Sequence, residues 1–254
     1  MGTPKAALEW HGSTLLRRTV GILTRASGGP VVVVRAHGQE LPELPADTVV
    51  VEDALEGKGP LQGIATGLAA LEGEAETAFV SSTDMPFLHP AFVCRVLAAL
   101  GAQRADVALP VARGYPQPLA AAYRTSVAGT AERLVKADRL RPAFLFQQCA
   151  VIRLDEARLL QDPVLAAADP ELHSVLNLNE AADYQAARAR PAPWVTVKLP
   201  GGSRTVRAAT VAEAADAVGL AFGPNVAVAL NGGQLTHDGT IPLVAGDSVG
   251  FQAP

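Results

Sequence analysis

Along the first three-quarters of the chain, short unbroken apolar runs alternate with stretches whose apolar residues recur every three or four positions. The runs at 30–34 (PVVVV), 48–53 (TVVVED), 77–84, 106–111 (DVALPV) and 118–124 (PLAAAYR) read as strands. Residues 13–26 place Leu15, Leu16, Val20 and Leu23 on one helical stripe, with Ser13 or Thr14 available as a cap. Residues 60–72 do the same with Leu61, Ile64, Leu68 and Leu71, and residues 91–100 with Phe92, Val93, Val96 and Leu97. A further helix is expected over 126–140 and a mixed edge segment over 145–154. Strands apolar on both faces, alternating with amphipathic helices, predict an α/β fold: a three-layer, mainly parallel sheet covered by helices on both sides. NLNEAADYQAARAR then runs from a loop into a last helix, with Asn179 placed to cap it and Asp183 in its first turn.

ARPAP at 189–193 ends this pattern, because two prolines separated by alanine suit a linker. Beyond it, WVTVKL and SRTVRA alternate around a PGG turn, Thr210 and Glu213 form a capping box for TVAEAADAVGL, and NVAVALNGG and GDSVGFQ read as strands. Two domains are therefore expected, 1–188 and 194–254, the second a small β-grasp, ubiquitin-like module.

Composition narrows the function classes. With 49% hydrophobic and 18% charged residues the chain can build a sizeable core. A formal net charge of −4 without a basic block gives no electrostatic case for nucleic acid, and the apolar runs are far too short to span a membrane. The opening MGTPKAALEW lacks the apolar core of a signal peptide. Two isolated cysteines, Cys94 and Cys149, suit a reducing cytoplasm, and no pair of the five histidines has zinc-ligand spacing.

Candidate chemistry gathers in the first domain. TAFVSSTDMPF is a short apolar strand ending on Asp84, at the end where parallel sheets bind ligands, and a carboxylate there can hold Mg²⁺ against a nucleotide's phosphates. The alternative is that Asp84 caps the helix near 90–100. Lys5 precedes the first helix, so its ammonium either reaches phosphates near that helix's N-terminus or is solvated surface. Asp53 ends another strand and is followed by EGKGPLQG, whose turn either offers backbone N–H groups to a ligand or merely permits tight packing. The loop ARGYPQ suits a shaped, exposed turn of the kind that carries substrate contacts. Asn179 either binds ligand or caps its helix.

The series MGxPKA, VED with GPLxG, TDMPF, PLxAxYR and NLNxxxDY closely resembles the molybdenum cofactor guanylyltransferases, within the larger group of Rossmann-like nucleotidyltransferases, over residues 1 to about 185. The resemblance implies GTP bound by Lys5, Asp53 and Asp84, with Asp84 also holding Mg²⁺ and Lys5 and Asp84 catalytic. It further implies a base-side turn of Gly59, Pro60, Leu61 and Gly63, and a molybdopterin-facing side at Gln117, Pro118 and Asn179. CTP or another phosphorylated acceptor is the rival within the same fold, and a binding module that has lost catalysis is the rival outside it. Two positions depart from the family. Arg35 follows the strand at 31–34 where Asn is usual, and the family's first strand and glycine-rich GGxSxR loop precede the Met-Gly with which this chain begins. A chain lacking that phosphate cradle is expected to be a poor catalyst. Residues 194–254 are similar in pattern to the small sulfur-carrier proteins of molybdopterin and thiamine synthesis, notably in VALNG and LxxGDSVGF. Those carriers end in Gly-Gly, whereas this chain ends FQAP, so the module is expected to dock or stabilise instead of carrying sulfur.

Overall fold

The computed structural model describes residues 4–53, 57–233 and 235–252. The opening Met-Gly-Thr and the closing Ala253–Pro254, on which the reading of the tail depended, lie outside them. A two-residue hairpin, β1 (Glu9–Trp10) and β2 (Ser13–Thr14), leads into α1 (Leu15–Ser27). The Thr14 hydroxyl accepts from the Arg17 N–H at 3.2 Å, and Gly28 ends α1 at φ 63°, the left-handed conformation that glycine adopts without strain. There follow β3 (Val32–Arg35), β4 (Val49–Glu52), α2 (Gly59–Ala69), β5 (Thr77–Ser81) and α3 (Pro90–Gly101). Then come β6 (Val107–Ala112), β7 (Tyr115–Pro116), β8 (Ala120–Arg124), α4 (Ala128–Lys136), α5 (Pro142–Phe146) and β9 (Val151–Asp155). The short α6 (Glu156–Leu159) and α7 (Pro163–Ala168) precede α8 (Ala181–Arg188). No helix among the described residues is long and apolar enough to cross a membrane.

The strands form mixed sheets, in which β8 and the short β7 run against the otherwise shared strand direction. β3 and β4 pair in parallel, and a separate five-stranded sheet runs β5-β8-β6-β7 with β9 parallel to β6. Within it β8 lies antiparallel to both β5 and β6. A run such as the AAAY of β8 is buried on both faces in either direction, so its hydropathy carries no sign of strand polarity. The alternation along β8 shows how both faces are filled. Ala120 and Ala122 pack with Phe92, Val93 and Val96 of α3, while Ala121 and Tyr123 pack with Leu61, Ile64 and Leu68 of α2 and with Leu134 of α4. The mixed edge segment expected over 145–154 starts in α5, whose Pro142 fits the first turn of a helix, and ends in β9 beside β6.

α3 is capped by His89. Its Nδ1 accepts from the Ala91 N–H at 3.1 Å, so the neutral ring carries its proton on Nε2, which donates to the Ala245 carbonyl at 3.2 Å. Burial lowers the His89 pKa below its ordinary 6.5. The unfolded chain then binds this proton more readily than the folded one, and the stability the neutral ring confers is lost as pH falls below about 6.5. The melting temperature should drop across that window. His89→Asn, which keeps a capping oxygen and removes the titration, should flatten the drop; an identical pH slope in the variant would contradict this assignment.

Residues 194–252 build a second sheet from β10 (Trp194–Leu199), β11 (Gly202–Arg207), β12 (Ala227–Leu230), β13 (Leu235–Thr236) and β14 (Ser248–Gln252), ordered β11-β10-β14-β12-β13. Its first and last strands, β10 and β14, pair in parallel at its centre. α9 (Val211–Asp216) packs on it around Val195, Val197, Val228 and Val249. The Thr210 cap was legible: its hydroxyl accepts from the Glu213 N–H at 3.3 Å, while the Glu213 carboxylate accepts from the Ala209 N–H, one residue before the cap, at 2.7 Å, in place of the Thr210 N–H that a capping box would use.

Candidate functional site

The chain leaves β5 at Ser81 and turns at once. The Ser82 hydroxyl donates to one oxygen of Asp84, the Leu178 N–H donates to the Asp84 carbonyl at 2.9 Å, and Met85 and Pro86 are buried behind it. Because His89 caps α3, Asp84 is free of that role, and its second carboxylate oxygen accepts from the Lys5 ammonium at 3.0 Å. Lys5 lies in a short 3₁₀ turn, Lys5–Ala7. The β1–β2 hairpin separates it from α1, whose N-terminus Thr14 already closes, so Lys5 serves Asp84 and not the helix end. With 37% of the Lys5 side chain exposed, such a pair contributes at most about 1 kcal/mol to stability. Its consequence is positional: one cation and one carboxylate stand together at the strand end.

Beside this pair, through Ser82 and Thr83, opens a cavity of about 700 Å³ between β3 and β5. α1 contributes Leu16, Val20 and Leu23 to it, and α2 contributes Gly63, Ile64 and Leu68. Among the described strands β3 pairs only with β4 and β5 only with β8, so each has one edge of backbone N–H and C=O groups free. At the far side Asp53 follows β4, and its carboxylate accepts from the Thr66 hydroxyl at 2.8 Å, which in turn accepts from the Gln62 amide at 2.9 Å. This fixes Asp53 against α2, apart from Lys5 and Asp84.

α2 begins one residue earlier than the sequence suggested. Lys58 stands at its N-cap without a side-chain cap, and Gly59 adopts φ 68°, a conformation only glycine takes readily. Among the described residues, the N-cap Lys58 offers no side chain to the first-turn N–H groups. Gly63 and Gly67 differ in purpose. A Cβ on Gly67 would lie 3.3 Å from the Val34 side chain, a tight contact, whereas one on Gly63 would meet nothing within 4 Å, so glycine there leaves the cavity wall bare. Pro60 is exposed at the same mouth, but the Leu61 side chain is fully buried in the core, leaving only its backbone to a ligand.

In the β7–β8 connection, whose Leu119 carbonyl accepts from the Ser82 N–H at 3.0 Å, the Gln117 amide folds back onto the Ala112 and Tyr115 carbonyls at 3.2 and 3.3 Å. The Pro118 carbonyl accepts from the Tyr123 phenol at 2.8 Å, and burial pushes the Tyr123 pKa up, so that donor stays protonated. The expected cap at Asn179 is corrected. Asp183 reaches back to the Asn179 and Glu180 N–H groups at 3.1 and 2.9 Å, with Glu180 at the N-cap, and the Asn179 side chain remains exposed. Its amide is thereby available beside Leu178, the residue that holds the Asp84 carbonyl. Arg35, at the position where the family usually has Asn, is tied to Glu52 at 2.5 Å and to the Gln39 carbonyl at 3.1 Å.

Among the described residues no three His, Cys, Asp or Glu side chains converge as a metal centre. A single Asp84 carboxylate, already drawing a cation to one oxygen, fits Mg²⁺, which usually takes one or two protein carboxylates and completes its shell with phosphate oxygens and water. Three supporting residues escaped the sequence reading. Ser82 sits two residues before Asp84, the spacing of a serine turn, and was legible in principle. Thr66 and Arg18, which donates to the Pro86 carbonyl at 2.7 Å, lie far from their partners in sequence and were not.

Residues 1–151 match the MobA-like NTP transferase domain. The probable molybdenum cofactor guanylyltransferase of Mycobacterium avium (strain 104) is 37% identical over 194 residues, covering 75% of this chain and 90% of that protein. The protein of the same description from Mycobacterium tuberculosis (strain ATCC 25618 / H37Rv) is 35% identical over 189 residues, covering 73% and 86%. Two solved structures share the fold. Molybdopterin-guanine dinucleotide biosynthesis protein A from Archaeoglobus fulgidus superposes with a TM-score of 0.56 at 22% identity, covering 74% of this chain and 90% of that one. The 2-C-methyl-D-erythritol 4-phosphate cytidylyltransferase from Thermus thermophilus does so at 0.51 and 22% identity, covering 74% and 93%.

Proposed function

The chain belongs to the MobA-like NTP transferase family, and on that premise we propose that it is a molybdenum cofactor guanylyltransferase, moving GMP from GTP to molybdopterin. The observation that carries this reading is the Lys5–Asp84 pair at the end of β5, beside a cavity that Asp53 and the first turn of α2 also line. The terminal phosphate oxygen of molybdopterin attacks the α-phosphorus of GTP, the new P–O bond forms, and the bond to the β-phosphate bridge breaks to release pyrophosphate.

Phosphoryl chemistry of this kind asks the protein for alignment and charge neutralisation rather than a covalent intermediate. Lys5 supplies a positive charge to the phosphates and Asp84 a hard oxygen ligand for Mg²⁺, with Ser82 fixing the carboxylate's orientation. Bound Mg²⁺ neutralises the charge that develops on the phosphate oxygens. Asp53, Gly59, Pro60, the Leu61 backbone and bare Gly63 form the nucleoside side, while Gln117, Pro118 and Asn179 form the acceptor side. GTP should bind more tightly than CTP, because the turn at 59–63 is of the guanylyl type. Titration of each nucleotide in the presence of Mg²⁺ checks this, and equal or tighter CTP binding would contradict it.

Residues 194–252 we take as a β-grasp module, following the linker at 189–193. Its parallel central pair, β10 and β14, flanked by hairpin partners and covered by α9, supports that reading. Its part is docking or stabilisation of the transferase.

A further inference from the structure

Helix α1 carries arginines at positions 17, 18 and 25, outside its apolar stripe of Leu15, Leu16, Val20 and Leu23. In the fold they are spent on the second sheet. The Arg17 Nε donates to the Thr240 hydroxyl at 2.8 Å, and its guanidinium lies 3.5 Å from Asp238. Arg25 donates to the Pro242 carbonyl and to Asp247, both at 2.6 Å. Asp247 is 3% exposed and also accepts from the Asn231 amide and the Val244 N–H, each at 2.8 Å, so its charge is fully compensated. Between the two arginines the helix has Gly21, where a Cβ would fall 2.6 Å from Pro242. The segment 238–247 is thus seated on α1 by ion pairs on both sides of a close contact that only glycine permits.

Arg18 joins this contact to the Asp84 turn. It is 8% exposed, and burial, followed by the neighbouring Arg25, lowers its pKa to about 10, so it remains charged at neutral pH. Its Nε donates to the Pro86 carbonyl at 2.7 Å and its Nη1 to the Leu243 carbonyl at 3.5 Å. The ring of His89 reaches the same segment through the Ala245 carbonyl at 3.2 Å. A planar guanidinium satisfied at both ends cannot rotate freely, whereas lysine, a single point donor, cannot hold both carbonyls.

We propose that the C-terminal module is a fixed clamp on α1 and that Arg18 is a positioning residue, through which the docked module holds the Met85–Pro86 backbone and with it the carboxylate of Asp84. The proposal rests on the reading of Asp84 as the metal-holding residue. Gly21→Val in the full chain should lift the module from α1 without touching the site. The expected results are a larger radius of gyration by small-angle scattering, faster amide hydrogen exchange over residues 84–88, and a kcat lower by about 10- to 100-fold with the KM for GTP little changed. Arg25→Glu, which sets a carboxylate against Asp247, should do the same. Arg18→Lys should speed exchange over 84–88 and lower kcat while the radius of gyration stays that of the parent.

If the radius rises while exchange and kcat do not move, the module does not position Asp84. If the radius rises in neither Gly21→Val nor Arg25→Glu, there is no clamp to release. Should the parent chain itself transfer no GMP, the functional reading fails. Hydrogen exchange then still decides the positioning claim, because it needs no turnover.

Discussion

Replacing Asp84 by Asn should lower turnover by at least ~10²-fold while the melting temperature moves little. The substitution keeps the shape of the side chain and its bond with Ser82, and removes the charged oxygen that attracts the Lys5 ammonium and that, in the proposed mechanism, would hold Mg²⁺. The loss in stability is limited to a partly exposed ion pair, about 0–1 kcal/mol. The turn itself is held by the Leu178 N–H and by Arg18, neither of which depends on the carboxylate. Steady-state pyrophosphate release and a thermal melt of the same preparation separate the two effects. Unchanged turnover would mean that the carboxylate only neutralises Lys5, and a collapse in melting temperature would mean that it is structural.

An apolar strand followed by a glycine-rich loop, joined ahead of Met1, should raise both stability and rate. The cavity of about 700 Å³ is bounded on one side by the open edge of β3 and on the other by that of β5, with apolar side chains of α1 and α2 above and below. A strand seated there would pair with both edges, and each buried backbone group that gains a partner is worth on the order of 1–3 kcal/mol. Lys5 lies beside Asp84 at the end of β5, so a loop that precedes it would run past the phosphates and present N–H donors to them. Donors of that kind contribute ~10²-fold or more to rate. The extended protein should therefore melt higher and release pyrophosphate at least ~10²-fold faster than the chain beginning at Met1. Equal melting temperatures and equal rates would show that the cavity does not accept a strand.

Much of the site was legible because its residues announce themselves locally. TDMPF couples an apolar strand to an acid and a proline, and the family resemblance groups Lys5 with Asp84 as nucleotide-binding residues, which the structure brings within 3.0 Å of each other. Three things were hidden, each for a physical reason. The antiparallel insertion of β8 was invisible because a strand buried on both faces encodes no direction. The cap of the last helix was misassigned from Glu180 to Asn179 because both lie in one short polar stretch and only the reach of Asp183 distinguishes them. The partners of Arg17, Arg18 and Arg25 were hidden because helical periodicity shows which face of α1 is apolar but not what its polar face meets.

The central claim is the transfer of GMP to molybdopterin at the Lys5–Asp84 site, and it is tested most directly by following label from GTP. Incubating the protein with Mg²⁺, molybdopterin and GTP labelled at the α-phosphate should move the label into a molybdopterin–GMP conjugate with one pyrophosphate released per conjugate, and Asp84→Asn should abolish both. Label remaining in GTP, or a conjugate formed equally well by Asp84→Asn, would contradict the account.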